Sequence, residues 1–160
     1  MPRGAQIRRG RVVIRPVIEA DFEQWLPLWK GYNAFYGRRG KTALAKEITL
    51  TTWRRFFDPY EPVHALVAER GADLVGLAHY LSHRNTLMPT GTCYLQDLFT
   101  SEAAGEKGVG RRLIHAVYKQ AKSAGSNPRL LAYARNELRR DALYDKAADR
   151  TGFVVYRQDL

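Results

Sequence analysis

Residues 93–121 read CYLQDLFTSEAAGEKGVGRRLIHAVYKQA and contain the clearest structural pattern in this 160-residue chain. The first eight form a β-rich run, and a small, polar loop follows up to residue 107. Apolar residues then recur at helical spacing and define one stripe, made of Val109, Leu113, Ile114, Val117, Tyr118 and Ala121. The pattern predicts a strand, a glycine-containing loop and an amphipathic helix that ends at Gly125.

The loop and the start of this helix, residues 105–112, read GEKGVGRR. Glycines let the backbone approach a ligand closely, and the free N–H groups of a first helical turn point outward with partial positive charge. Lys107, Arg111 and Arg112 each cost about 0.3–1 kcal/mol against the helix dipole unless an anion offsets them. The turn therefore predicts a phosphate site, the alternative being an ordinary glycine loop with solvated basic residues.

Two common phosphate-binding classes do not fit this turn. Gly105 and Gly110 match the first part of a Walker loop, but Arg111-Arg112 stands where Lys-Ser/Thr should hold the phosphates and magnesium. The chain contains no GxGxxG sequence for a dinucleotide fold. An NTPase and a dinucleotide-binding enzyme are both disfavoured.

The rest of the chain predicts a mixed sheet covered by helices, an α/β (α+β) domain. We expect a strand at residues 12–14, a helix from about residue 19 that Pro27 kinks or locally breaks, and a helix at 48–57. Residues 64–69 and 74–82 form an antiparallel hairpin around Arg70-Gly71-Ala72-Asp73. After the amphipathic helix we expect a strand at 129–134, a helix at 140–150 and a strand at 153–157.

Composition bounds the class of protein. With 45% hydrophobic residues, the chain fits one domain over residues 1–160, with a basic arm at 1–11. No apolar run approaches the roughly 20 residues of a membrane span, and no signal-peptide pattern follows the N-terminus, so we expect a soluble, cytoplasmic protein. Cys93 is the single cysteine, which excludes internal disulfides, and no CxxC or HExxH pattern predicts a metal site.

The formal charge of +10 predicts an anionic partner. Charge alone leaves nucleic acid, an acidic surface and a phosphate-bearing cofactor open. Because the positive residues are dispersed and no nucleic-acid motif is present, nucleic acid is the less favoured of these partners.

Residues 93–112, with Leu143-Tyr144-Asp145 and residues 152–156, resemble the GNAT superfamily of acetyl-CoA-dependent N-acetyltransferases. Tyr94-Leu95-Gln96-Asp97-Leu98-Phe99 is similar to the Tyr-Leu-Glu-Asp-Phe-Phe stretch of the spermidine/spermine and related small-amine branch. The resemblance implies a central, mostly antiparallel sheet flanked by helices. It also implies acetyl-CoA as co-substrate and a small-molecule amine or lysine-like group as acceptor.

The resemblance implies a role for individual residues. Backbone groups of Leu98, Phe99 and Thr100 would bind the pantetheine arm. Tyr144 would face the thioester sulfur, where a phenol of pKa about 10 can protonate a departing thiolate of pKa about 8.5; a core aromatic is the alternative. Amides of the glycine turn would hold the pyrophosphate, namely those of Lys107, Gly108, Val109, Gly110, Arg111 and Arg112.

Two residues depart from the family pattern. Gly105 stands where the family usually has Arg or Gln, and Gln96 replaces the glutamate that small-amine relatives offer as a general base. An ammonium of pKa near 10.4 must lose its proton before it attacks, so another acceptor is needed. Asp97 is the nearest substitute, although strand alternation with Cys93, Leu95 and Phe99 would equally make it a buried structural carboxylate. A water chain to solvent would also serve.

Aromatic residues of the first helix are the candidates for the acceptor side. Tyr32 and Tyr36, with Phe35, Trp29 and Trp53, would form a wall that holds an alkylammonium by cation–π contact, or they are simply core. Gly31 and Gly37 flank Tyr32 and Tyr36, which predicts partial exposure of both tyrosines. Gln96 is assigned to the same substrate site. The four histidines show no triad spacing and receive no role.

The sequence thus predicts transfer of acetyl from acetyl-CoA to a primary amine by direct attack in a ternary complex. Two other functions stay open: a CoA-binding protein of this fold without catalytic activity, and a basic nucleic-acid-binding module. A homodimer formed through the last strand, residues 153–157, is possible.

Overall fold

The computed structural model of the chain describes residues 10–104, 108–130, 143, 145, 146 and 149. Its strands are β1 (Val12–Pro16), β2 (Val63–Arg70), β3 (Asp73–His83), β4 (Thr92–Thr100) and β5 (Asn127–Leu130). Its helices are α1 (Phe22–Phe35), α2 (Lys46–Arg55) and α3 (Val109–Ser123). Tyr144 and the predicted strand at 153–157 lie outside the described residues.

The strands form one sheet in the order β1-β2-β3-β4-β5. The pairs β1–β2, β2–β3 and β3–β4 are antiparallel, and β5 pairs parallel to β4. The hairpin prediction is confirmed, because Arg70 pairs with Asp73 across a turn in which Gly71 takes a φ of 64°. A mixed, mostly antiparallel sheet flanked by helices is therefore the fold, as the sequence predicts.

Apolar side chains cover both faces of the sheet. The stripe of α3 packs on one face, where Leu113 and Ile114 are fully buried among Leu66, Ala78 and Leu95. On the opposite face α1 packs through an aromatic cluster, with α2 beside it, and this second core includes Trp25, Leu28, Trp29, Tyr32, Val67 and Leu77. The sheet is thus the middle of three layers.

Helix α1 passes through Pro27 as one continuous helix, so the predicted local break does not occur. Proline removes one backbone hydrogen bond, but Trp25 before it and Leu28 and Trp29 after it are all buried against the sheet. Packing of both halves therefore outweighs the lost bond.

The start of α1 is fastened to β1 by an ion pair. Arg15 donates from both terminal nitrogens to Asp21, at 2.7 and 2.9 Å, and from Nε to Glu69. Asp21 also accepts the amide of Ile18 at 2.8 Å. Hydrogen bonding to Arg15, with help from the Ile18 amide, lowers the pKa of Asp21. Asp21, one of the acidic residues at the start of α1, therefore has a structural role.

Candidate active site

An irregularity in the pairing of β3 and β4 shapes the centre of the molecule. His79 pairs with Asp97, but the next residue, Tyr80, pairs with Leu95, so Gln96 is an extra residue in β4. Such a bulge shifts the alternation of side chains. Leu95 faces the α3 core, Gln96 is exposed, and Asp97 is buried on the α1 side. Asp97 therefore lies on the α1 side, as Phe99 does, and not on the face of Cys93 and Leu95, so the predicted alternation with all three residues is wrong.

A chain of hydrogen bonds links helix α1 to this bulge. The indole N–H of Trp25 donates to Nε2 of His79 at 3.0 Å. Nδ1 of His79 lies 2.9 Å from Oδ2 of Asp97, and the Asp97 carboxylate is near enough to Tyr32 to affect the pKa of its phenol. His79 and Asp97 are only 2% and 8% exposed, respectively. The carboxylate is thus held by a buried histidine that α1 fixes through Trp25.

The partners of His79 fix its tautomer. An indole nitrogen can only donate, so Nε2 of His79 is the acceptor and carries no proton, and Nδ1–H donates to Asp97. The imidazole is therefore neutral, and Asp97 receives a hydrogen bond rather than a full ion pair. Burial, followed by the nearby Asp97 carboxylate, raises the pKa of Tyr32, so the phenol stays protonated.

Asp97 opens onto a cavity of about 470 Å³ between α1, α2 and the sheet. Three predicted site residues, Tyr32, Gln96 and Asp97, line it together with Trp29. Tyr36 is not part of the lining but packs against Tyr32, with ring centroids 5.0 Å apart. Other lining residues come from α1, from the segment after it, from α2 and from β2–β3, and include Asn33, Arg38, Ile48, Arg55, Phe56, Val63 and His79.

The prediction that Tyr32 is partly exposed is wrong, since it is only 7% exposed, whereas Tyr36 is half-buried as predicted. Gly31 explains the error. A Cβ at Gly31 would lie 2.7 Å from Cζ of Phe99, so this glycine makes room for a ring on β4. It does not open the helix surface around its neighbour.

Helix α3 starts at a glycine with free space around it. Gly108 is the N-cap with φ 108° and ψ −2°, and among the described residues beyond its chain neighbours no atom lies within 4 Å of where its Cβ would be. The first backbone bond of the helix runs from the Arg112 amide to the Gly108 carbonyl, at 3.0 Å. The amides of Val109, Gly110 and Arg111 precede that bond and have no partner within the helix.

Both the backbone amide and the guanidinium of Arg112 donate hydrogen bonds within the chain. Its amide makes the helical bond to Gly108, and its Nη2 donates to the carbonyl of Val12 at 2.6 Å. Of the predicted phosphate set, Gly108 caps the helix, and the amides of Val109, Gly110 and Arg111 lack helical partners, with the Arg111 side chain exposed. Their binding of phosphate stays a prediction. Lys107, predicted in the same set, lies outside the described residues.

The end of β4 leads toward this helix start. Leu98, Phe99 and Thr100 pair with β3 along one edge, whereas β5 pairs with residues 92–95 on the other edge. Within the described part of the chain, no strand pairs with residues 96–100 on the β5 side. The resemblance implies that backbone groups of Leu98, Phe99 and Thr100 bind a pantetheine arm along this edge, which stays a prediction.

Three contributors to the site have no clear signal in the sequence. Trp25 and His79 hold Asp97, and Arg38 lines the cavity beside the tyrosines. A histidine inside an otherwise apolar strand is the one available hint, since an unpaired polar side chain is costly to bury. Arg38 follows the helix in a polar segment and looks like an ordinary surface residue.

Strand β4 has a bulge and leads to a helix start with unpaired amides, and the cavity beside it is lined by the Asp97 carboxylate. This arrangement fits the class of acyl-group transferases that use a phosphate-bearing donor. Comparison with known proteins makes the class specific. The profile of the Acetyltransferase (GNAT) family matches residues 25–148. The chain therefore belongs to the GNAT family and is an acetyltransferase.

Individual proteins agree with this assignment. The chain is 35% identical over 152 residues to the D-amino-acid N-acetyltransferase HPA3 of Saccharomyces cerevisiae, covering 93% of this chain and 91% of that protein. It shares its fold with a ribosomal-protein-alanine N-acetyltransferase of Brucella melitensis biovar Abortus 2308, with a TM-score of 0.75, 15% identity and coverage of 94% and 99%. AAC(6')-Iy in complex with a bisubstrate analogue, CoA-S-monomethyl-acetylneamine, gives the same TM-score, identity and coverage.

In the part of the chain that the structure describes, none of the helices has both the length and the apolar character needed to span a bilayer.

Proposed function

We propose that the protein transfers the acetyl group of acetyl-CoA to the amino group of a small molecule, by direct attack in a ternary complex. The observation that carries the proposal is the buried Asp97, hydrogen-bonded by His79 and lining the cavity, immediately before Leu98, Phe99 and Thr100 in β4. This arrangement brings a proton acceptor next to the backbone that would hold the donor. An enzyme, rather than a protein of this fold that only binds CoA, best explains a carboxylate buried at that point.

The helix start fits the diphosphate of coenzyme A. The amides of Val109, Gly110 and Arg111 offer three donors, and Gly108 leaves space where a side chain would otherwise block approach. Gly110 brings the helix close to Thr100 and Leu143, since a Cβ there would lie 3.9 and 3.4 Å from them. Bound acetyl-CoA would supply the thioester carbon that the amine attacks.

Residues of the chain supply the proton chemistry. Asp97 accepts the proton of the incoming ammonium, directly or through water, while His79 keeps its carboxylate oriented. Tyr144, by the family resemblance, donates to the departing thiolate. Gln96, exposed at the bulge, contributes side-chain hydrogen bonds to the acceptor.

Cys93 gives no support to a covalent enzyme intermediate. Its side chain is 1% exposed within the α3 core, and burial raises the pKa of its thiol to about 11. A protonated, buried thiol is a poor nucleophile, so direct transfer is the better mechanism.

The acceptor class follows from cavity size and from the yeast relative. A cavity of about 470 Å³ suits a small molecule or a lysine-like side chain. The yeast relative is named for D-amino acids, so amino acids join the small amines of the spermidine/spermine-like branch as candidates. A cytoplasmic location and a homodimer remain predictions.

Calorimetric titration with acetyl-CoA tests the donor site. Gly108→Val should weaken binding by at least about tenfold, because the side chain blocks the approach to the helix start and strains the backbone. Gly125→Val is the matched control, because Gly125 also has a positive φ, 68°, but follows the other end of α3. Absence of saturable binding by the unmodified protein, or equal loss in both variants, would overturn the donor site.

A further inference from the structure

The guanidinium of Arg38 lines the acceptor cavity and is held in place by a neighbouring side chain. Nε of Arg38 donates to Oδ1 of Asn33 at 2.6 Å. Its Cζ lies 5.4 Å from the ring centroid of Tyr36 and 5.8 Å from that of Tyr32. Arg38 is thus fixed at its Nε and faces two aromatic rings.

The support beneath Arg38 is itself buried. Asn33 is 4% exposed, and its Nδ2 donates to the Trp29 carbonyl at 2.8 Å. These two contacts fix the amide so that its oxygen faces Arg38. Among the contacts of the described residues, neither terminal nitrogen of Arg38 has a hydrogen-bond partner, although Arg38 lines the cavity.

The position of Arg38 changes the chemistry of the aromatic wall. Tyr32 and Tyr36 were expected to hold the alkylammonium of the acceptor by cation–π contact. Arg38 already provides the cation for both rings, so a second cation there would meet a like charge. This arrangement argues against a polyamine and in favour of an acceptor that brings a negative charge to Arg38.

The other charged residues of the lining complete the pattern. Arg55 also lines the cavity, but its Nε lies 3.4 Å from Oε1 of Glu61. Asp97 contributes the carboxylate of the lining. Tyr32 lies between the two charges, since the Asp97 carboxylate affects the pKa of its phenol and its ring lies beside Arg38. The described part of the cavity therefore presents the Asp97 carboxylate and the Arg38 guanidinium on either side of Tyr32, while Arg55 is paired with Glu61.

We propose that Arg38 is the specificity-determining residue that binds the carboxylate of the acceptor, while the acceptor's amino group faces Asp97. The substrate class is then small amines that carry a carboxylate, such as free amino acids. A guanidinium matches a carboxylate with two parallel hydrogen bonds, and its fixed Nε directs the two terminal nitrogens. The inference rests on the proposed function and names the substrate class of that same site.

The test compares acceptors that differ only in the carboxylate. Phenylalanine, in both enantiomers, is compared with phenylalaninamide and with phenethylamine, using kcat/KM for acetyl transfer. The unmodified protein should prefer the better phenylalanine enantiomer over both carboxylate-free amines. Arg38→Gln should lower kcat/KM for that amino acid by about 10- to 100-fold and change it less than about threefold for phenethylamine.

Two further variants keep the result interpretable. Arg38→Lys retains the charge but not the planar fork, so it should recover part of the preference. Arg39→Gln removes a charge from the adjacent, exposed residue and should leave the preference intact. Equal loss for amino acid and phenethylamine in Arg38→Gln, or no preference in the unmodified protein, would overturn the assignment of Arg38.

A binding measurement separates this inference from the proposed function. Phenylalanine and phenethylamine are titrated into the protein saturated with CoA. Tighter binding of phenylalanine that disappears in Arg38→Gln supports the carboxylate site even where no acetyl transfer occurs, and in that case the proposed function alone fails. Equal binding of the two ligands overturns the carboxylate site, whether or not acetyl transfer is observed.

Discussion

Replacing Asp97 by Asn removes the proposed proton acceptor and changes little else in shape. At pH 7.5 an alkylammonium of pKa about 10.4 is free amine in only about one molecule per thousand. Without an acceptor the enzyme depends on that fraction, so kcat/KM should fall by about 10²- to 10³-fold, within the usual range for general-base catalysis. The Nδ1–H donor of His79 loses a charged partner, which should lower the free energy of unfolding by about 1–3 kcal/mol.

The pH dependence provides the sharper assay. Thiol release from acetyl-CoA is followed between pH 7.5 and 9.5, with acetyl-CoA saturating and one amine varied below its KM. In Asp97→Asn, log kcat/KM for the amine should rise by about one per pH unit, because each unit raises the free-amine fraction about tenfold. The unmodified protein should show a much flatter profile, since Asp97 removes the proton at every pH in this range.

Asp73→Asn is the matched control because it removes the same charge from an exposed position at the β2–β3 turn. It should leave both rate and pH profile unchanged. If Asp97→Asn stays folded and keeps kcat/KM within about twofold of the unmodified protein, or if both proteins share one pH profile, Asp97 is a structural carboxylate and the assignment of the base is refuted.

Three further predictions concern stability and reactivity. Asp21→Asn should lower the free energy of unfolding by about 2–3 kcal/mol at pH 7. Because Arg15 holds the folded-state pKa of Asp21 below its unfolded value near 3.9, this difference should persist above about pH 4 and shrink as the pH falls below it. Denaturant titrations at several pH values measure the difference. Gly31→Ala should cost about 1–2 kcal/mol net of its better helix propensity, because Phe99 must move; a stabilised variant in thermal unfolding would contradict the packing. Cys93 should react with iodoacetamide at pH 8 roughly a hundredfold more slowly in the native protein than after unfolding, with activity retained; rapid native labelling that abolishes transfer would instead implicate the thiol.

Local patterns predicted much of this fold from the sequence. The stripe of α3 is buried at five of its six positions, with Tyr118 partly buried, because a 3.6-residue period directly specifies one helix face. The hairpin around Gly71 and the glycine N-cap of α3 were equally predictable, since both need backbone angles that glycine adopts readily.

The contents of the cavity were not predictable in the same way. The bulge at Gln96 depends on how β3 and β4 pair, and it alone determines that Asp97 lies on the α1 side with His79. Pairing register is a tertiary property that the residues of one strand do not encode. Arg38 shows the same limit, because its role depends on a buried asparagine and two rings that only the folded chain brings together.

Acetyl transfer itself is the central claim, and mass spectrometry of the products tests it most directly. Purified protein is incubated with acetyl-CoA and a panel of amino acids in both enantiomers. We predict an N-acetylated amino acid formed in equal amount to free CoA, with no product when the protein is omitted. Release of CoA without an acetylated amine, or no turnover of any member of a panel extended to simple amines and lysine peptides, would contradict the account.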